Sequence, residues 1–390
     1  MSVAAPMLQR GRFCLFAQSP AAPNETPYST LALDLVRRST VIDMLGLLTL
    51  NYSKLTSWET QSADFAAGDF EKLRSSGITI FHPAVGFTEG DVYSSSLRDI
   101  TGWNEFIAAH GGQFLRIDSP ADLERVKASG KLGIVIGQQN SRHFRTVDDV
   151  DCFYKLGQRV SQLTYDDNAI GGGSTDPRDF GLTPYGAQIV DRMNAVGMAV
   201  DISHCSDRTT LDALHASRKP VLVTHSNCRA LVPGSARCKT DEAIRLLACQ
   251  GGVIGITMVR SFVQSSGPAT IEDVLDHIDH VVKIAGVEHV GIGSDVDLNG
   301  RDAHNRPKKR WDLDGVDYSR KIFDLAEGLI RRKYSADNIQ LILGGNFERA
   351  LASIWSPETP TEPRASSTPG DDRMSCTGEH RLEEDRTGGA

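Results

Sequence analysis

The stretch Gly181-Leu-Thr-Pro-Tyr-Gly-Ala-Gln-Ile-Val-Asp-Arg-Met-Asn-Ala-Val-Gly-Met-Ala-Val-Asp-Ile-Ser-His204 reads as one helix feeding one strand. Thr183 stands where an N-cap belongs, and Pro184 takes the first helical position, where a missing N–H costs nothing. Gly197 supplies the stop, because glycine tolerates the left-handed conformation that ends many helices. Met198–Ser203 is then a short apolar run without polar alternation, as expected for a parallel strand buried on both faces. It ends on His204, a side chain that can bind metal or move a proton.

The same grammar repeats on either side. Candidate strands are Thr40–Asp43, Gly77–His82, Leu132–Gly137, Val160–Thr164, Met198–Ser203, Val221–Thr224, Gly252–Thr257 and His289–Ser294, with helical patterns between them. Asp241–Gln250 runs into Gly251-Gly252 as the quoted helix runs into Gly197. Eight such strands separated by helices predict an α/β chain folded as a (β/α)₈ barrel of the TIM type, like the metal-dependent hydrolases, in preference to an open doubly wound sheet. No GxGxxG or Walker-type loop follows any strand, which argues against nucleotide binding.

Residues 30–355 are expected to form the barrel domain, with 1–29 a flexible leader. Residues 356–390 are rich in Pro, Ser, Thr, Asp, Glu and Arg and nearly free of large apolar side chains, so they read as a disordered tail. Arg10 to Ser19 places basic residues before an apolar run too short for a secretion signal. A cytoplasmic location is therefore expected, with export through a degenerate signal left open. No apolar run approaches the about 18 residues that span a bilayer. With 42 Lys and Arg against 50 Asp and Glu, net charge −8, no electrostatic case exists for nucleic acid. The seven cysteines are scattered without a CxxC pair, which argues against a disulfide framework or a zinc knuckle. Cys205 adjoins His204 and reads as a nucleophile or, with better support, as a small buried residue.

In a barrel of this kind reactive side chains sit at the C-terminal ends of strands. Strand five ends on His204, strand six on His225 and strand eight on Asp295, three residues that would converge on one mouth. Imidazole suits zinc, and a carboxylate beside it binds metal or accepts a proton from water. One such histidine alone would as readily be a hydrogen-bonded core residue. His82 ends strand two, and His143 follows strand three; both are candidates for the same mouth. His110, His215, His277, His280, His304 and His380 read as surface residues.

These residues also carry a family resemblance. The quoted stretch, Thr224-His225-Ser226-Asn227 with Arg237 and Thr240-Asp241-Glu242, and Asp276–Gly286 running into His289–Asp295 resemble the membrane (renal) dipeptidase family of zinc peptidases, as does Ile342–Arg349. The likeness covers most of 38–352 and is strongest from about 155 onward. It implies a (β/α)₈ barrel that cleaves dipeptides with two zinc ions bridged by a glutamate. By position, His204 and His225 match the two histidines of one zinc, and Asp295 matches the catalytic aspartate. Arg237 falls near the arginine that binds the substrate carboxylate, a job suited to a bidentate guanidinium; an exposed loop arginine is the other reading. Tyr165 stands where mammalian members carry a histidine, which makes it a catalytic and substrate-binding candidate.

The chain departs from the family elsewhere. The first strand should end Asp-x-His-x-Asp but reads Asp43-Met44-Leu45-Gly46-Leu47, and the bridging glutamate is replaced by Gln139. Glutamine is an uncharged donor that bridges two cations poorly. The resemblance with these departures implies one zinc rather than two, held by His204 and His225 with Asp295, Gln139 or His82 and water. The expected function is dipeptidase-like hydrolysis of dipeptides or small peptide-like substrates. The alternative is a repurposed or inactive barrel that binds a peptide-like ligand or does metal-free chemistry. No nucleic acid or membrane partner is expected, and a homodimer remains open.

Overall fold

The computed structural model describes residues 27–356, except 88, 167, 177 and 305–309. The expected leader and tail, with His380, lie outside the described residues apart from their innermost positions. Ten strands run parallel in one sheet: β1 (Ile42–Asp43), β2 (Ile80–Phe81), β3 (Phe114–Arg116), β4 (Leu132–Ile134), β5 (Gly137–Gln138), β6 (Val160–Gln162), β7 (Ala199–Asp201), β8 (Leu222–Ser226), β9 (Val253–Ile256) and β10 (Val290–Ile292). Their order is β3-β4-β2-β1-β10-β9-β8-β7-β6-β5.

β4 and β5 belong to one extended stretch, and this closes the sheet. Val135 N–H donates to the Phe81 carbonyl on the β2 side at 2.9 Å, while the Ile136 carbonyl accepts from Arg159 N–H on the β6 side at 2.8 Å. The stretch Leu132–Gln138 is therefore a single stave with a neighbour on each flank, and the chain forms the eight-staved barrel expected from the sequence. β3 is an addition that pairs only with β4. It escapes notice in the sequence because it is three residues long, partly exposed and ends on an arginine bonded to Asp118 and Asn104.

The punctuation holds where it was read. Thr183 Oγ1 accepts from Gly186 N–H at 3.0 Å at the head of helix Pro184–Val196. Gly197 ends that helix with φ 83°. The inward residues Ile42, Ile80, Val135, Val160, Ala199, Leu222 and Val253 form one buried cluster with Phe347, Ala350, Leu351 and Ile354. Most of these inward residues open their strands, so helix Asn346–Trp355 seals the N-terminal end of the barrel. The helix starts after Gly344, where a Cβ would lie 1.9 Å from the Thr40 carbonyl oxygen and only glycine allows the approach. With that end plugged by apolar side chains, the polar strand ends collect at the opposite mouth. No helix among the described residues is long and apolar enough to cross a membrane.

Candidate active site

The mouth is organised by two buried aspartates. Asp201, at the end of β7, accepts from Ser203 Oγ at 2.6 Å, Ser203 N–H at 2.9 Å and Thr224 N–H at 3.0 Å through Oδ1, and from Thr224 Oγ1 at 2.7 Å through Oδ2. It thereby fixes the turns that present His204 and His225. Asp43, at the end of β1, accepts from Ser294 N–H at 2.8 Å and Ser294 Oγ at 2.5 Å, which ties β1 to the residue before Asp295. Lys321 Nζ, itself fully buried, lies 3.7 Å from Asp43 Oδ2.

His204 and His225 meet with their Nε2 atoms 3.0 Å apart. The protons can be placed from the surrounding bonds. Thr224 Oγ1 spends its one hydrogen on Asp201, so the His225 Nδ1 contact with it at 2.9 Å requires an N–H on Nδ1. His204 uses a backbone hydrogen bond to Tyr165 in the same way. Burial first, and the Arg237 charge second, hold both imidazoles well below the ordinary histidine pKa, so both are neutral. Two Nε2 lone pairs then face each other, an arrangement that calls for a cation between them. The outer-nitrogen hydrogen bonds are those that orient histidine ligands. The pair fits a metal ion. Among the described residues no group of three or more His, Cys, Asp or Glu is placed to hold a metal.

A cavity of about 270 Å³ opens over His204, lined also by Tyr165, Gln139, Asp295, Arg301 and Trp311 with an apolar wall that includes Leu47 and Leu50. Tyr165 is 39% exposed and stacks on His204, ring centroids 4.2 Å apart and planes 22° apart. Asp295 sits at φ 58°, a left-handed conformation rare outside glycine, with its N–H on the Leu45 carbonyl at 3.0 Å. Its Oδ1 is ion-paired to Arg301 Nη2, and its carbonyl accepts from Arg301 Nε at 2.7 Å. Burial raises the Asp295 pKa, opposed by the charges of Arg301 and Arg237.

The remaining candidates are placed differently. Gln139 reaches the cavity and donates through Nε2 to the Ala84 carbonyl at 3.3 Å. His82 turns into the barrel below the cavity: Nδ1 contacts the Met44 carbonyl at 2.7 Å, and Nε2 is buried without a partner. A Cβ on residue 137 would lie 2.1 Å from that Nε2, so Gly137 makes room for the ring. Leu45, Leu47, Leu50 and Ala84 form an apolar cluster of their own at the end of β1. Arg237 is buried and its fork is taken by backbone, Nη1 on the Ser203 carbonyl at 2.5 Å and Nη2 on the His225 carbonyl at 2.8 Å.

His143 does not reach the mouth as expected. It lies in the core between Phe144 and Phe153 with Nε2 3.0 Å from Gln158 Oε1. His277 is not at the surface either; it is fully buried, accepting from Cys228 N–H on Nδ1 at 3.1 Å and donating from Nε2 to the Val263 carbonyl at 3.0 Å. His110 packs among Phe65 and Phe106, and His304 lies 2.9 Å from the buried Asp297. Cys205 is fully buried, and burial pushes its thiol up to about 11, which fits the small core residue and not a nucleophile. Arg301 is the site residue that the sequence reading missed. It stands in a loop after the last strand, and only its position six residues beyond Asp295 points toward the mouth.

Comparison with known proteins agrees with this architecture. The family model of membrane dipeptidase, peptidase family M19, matches residues 31–361. An uncharacterized dipeptidase of Schizosaccharomyces pombe is 32% identical over 222 residues, covering 54% of this chain and 52% of the relative. Dipeptidase verJ of Clonostachys rogersoniana is 34% identical over 238 residues, covering 60% of this chain and 58% of its own. The alignments thus span little more than half the length of these curated relatives. The crystal structure of an amidohydrolase from Pseudomonas aeruginosa superposes with a TM-score of 0.72 at 28% identity, over 83% of this chain and 99% of that one. The histidine-bearing strand ends, the sealed barrel and the family match over nearly the whole described chain lead to one statement: this protein belongs to the membrane dipeptidase family, peptidase family M19.

Proposed function

We propose that the chain hydrolyses the amide bond of a dipeptide or small peptide-like substrate, and that His204 and His225 would hold one divalent ion, zinc by donor preference. The observation that carries the reading is the pair of neutral imidazole nitrogens facing each other at 3.0 Å. Such an ion supplies polarisation of the scissile carbonyl and acidification of a water. Family membership points to the same use of metal.

The residues of the chain divide the remaining work. Asp201 and Thr224 hold His225 in its tautomer, and Tyr165 backs the ring of His204. Gln139 offers a neutral oxygen beside them. Asp295 takes the proton from the attacking water and returns it to the leaving amine, as general base and then general acid. Tyr165 lines the cavity and keeps its proton, because burial raises its pKa further, so its hydroxyl serves as a donor to the substrate. Arg237 acts beneath the site, holding the turns of His204 and His225 together. Leu45 and Leu47 offer nothing to a second ion, which supports a single one.

The ion pair between Arg301 and Asp295 favours a second reading, a barrel that binds a peptide-like ligand without turnover. Metal analysis of protein purified without chelator, beside dipeptide hydrolysis with added zinc, cobalt or manganese, separates the two. One ion per chain, with hydrolysis lost in folded His204→Ala and His225→Ala, is the expected result. Metal-free protein inert on dipeptides would establish the second reading, and two tightly bound ions would overturn the ligand assignment.

A further inference from the structure

Arg301 is the one cation among the described residues that line the cavity, and it faces inward already bound to the carboxylate that hydrolysis needs free. Its side chain is 21% exposed and that of Asp295 11%, so the pair is largely out of water yet open to the cavity. The arginine is held from behind. Its own N–H donates to Asp312 Oδ1 at 2.8 Å, and the N–H of Asp302 donates to Asp312 Oδ2 at 3.1 Å. Trp311 N–H donates to Asp302 Oδ1 at 2.8 Å, which folds the same loop back on itself. The backbone at 301 is thus anchored, while the guanidinium has one contact to the Asp295 carbonyl and one to its carboxylate.

A guanidinium paired to a carboxylate at the edge of a cavity exchanges that partner most readily for another carboxylate, which matches its fork equally well. Arg237 cannot compete for this role, because its Nη1 and Nη2 are committed to backbone carbonyls beneath the site. The wall formed by Leu47, Leu48, Leu50 and Leu55 gives no other anion-binding group.

We infer that Arg301 is a substrate-operated clamp on Asp295: the carboxylate of an incoming small ligand takes over the Arg301 fork and releases Asp295 into the cavity as an acceptor. The inference rests on the proposed hydrolysis for its catalytic meaning but makes its own binding claim. A molecule with a free carboxylate both occupies the cavity and unlocks its base, whereas the corresponding carboxamide binds more weakly and leaves the base paired. Arg301 is then the residue that selects for a free C-terminus, and Asp295 competes with the ligand for it.

The test is calorimetric titration of a matched pair of non-cleavable ligands, an alanyl-alanine isostere with the amide replaced by CH₂–NH, as free acid and as C-terminal carboxamide. Wild type, with and without added zinc, is expected to prefer the acid by about tenfold or more, the scale of one charge-assisted fork. Arg301→Gln should bring the two ligands within about twofold, and Arg301→Lys should fall between. Asp295→Asn should tighten the acid severalfold and leave the carboxamide unchanged, because the internal competitor is gone; a structural ion pair would not produce that gain. An acid preference that persists in Arg301→Gln, its absence in wild type, or an acid bound no tighter by Asp295→Asn overturns the clamp. Dipeptides and their C-terminal amides turned over with equal kcat/KM would likewise reject the clamp and leave hydrolysis standing. Intact acid preference in a protein without turnover would reject hydrolysis and leave the clamp.

Discussion

Replacing Arg237 with methionine separates a residue that builds the site from one that touches substrate. The guanidinium bridges the carbonyls of Ser203 and His225 at 2.5 and 2.8 Å. Each bond joins a charged donor to a buried acceptor, worth about 1.5–3 kcal/mol, so the pair contributes about 3–6 kcal/mol gross. Against this stands the cost of a buried charge, several kcal/mol per ion, which methionine would not carry. Arg237 Nε has no partner, so that cost is only partly offset. The net expectation is a loss of about 1–3 kcal/mol in folding stability. Arg237→Lys should be intermediate, because one ammonium cannot fork between two carbonyls. Urea titration followed by circular dichroism measures the loss, with an unchanged m-value as the check on the denatured state. Stability within about 1 kcal/mol of wild type, together with lost binding of carboxylate ligands, would refute this reasoning and return Arg237 to the substrate.

Two further outcomes follow from buried charges away from the cavity. Asp99 takes Gln138 Nε2 at 2.6 Å, and burial first, with the Glu59 charge second, pushes its pKa up to about 8. A carboxyl raised in the fold binds its proton more tightly there than in the unfolded chain, so the stability it contributes is full below about pH 4 and is lost as pH rises toward 8. Asp99→Asn should therefore match wild type in Tm at about pH 4 and exceed it at pH 9; the same pH slope in both proteins would show that Asp99 is ionised in the fold. Lys321 and Asp43 form an ion pair with both side chains 1% exposed or less. Lys321→Met should cost about 3–5 kcal/mol by leaving Asp43 uncompensated, and Asp43→Asn added to it should recover part of that loss in denaturant melts.

The barrel was legible because its signals are local and repeated. Thr183-Pro184 and Gly197 mark a helix by chemistry that needs no tertiary partner, and Met198–Ser203 declares a doubly buried strand by lacking polar alternation. β3 was not legible, since three partly exposed residues give no period to read. Histidines divided in the same way. His204 and His225 stood at strand ends, where barrel geometry fixes the destination. His143 and His277 entered the core because particular neighbours satisfy them, Gln158 in one case and Cys228 with Val263 in the other. Those partners lie 14 to 49 residues away in the chain. Arg301 was missed for a related reason: its direction is set by the Asp312 clasp on its own loop, which no periodicity announces.

The apolar end of β1 and the presence of Arg301 are two sides of one electrostatic arrangement. Asp295 is buried, and a buried carboxylate without a compensating charge costs several kcal/mol or takes up a proton. In a site whose first strand carried acidic and imidazole ligands, a second ion would provide that compensation. Here Leu45 and Leu47 pack with Leu50 and Ala84 and solvate no cation. Arg301 supplies a positive charge as a side chain, paired to Asp295 and opposing the upward push of burial on its pKa. A guanidinium is always charged and cannot acidify water as a metal does. What it can do is be displaced by another anion. On the clamp proposed above, control of Asp295 passes to the ligand that enters the cavity, which is the property that the acid and carboxamide pair would measure.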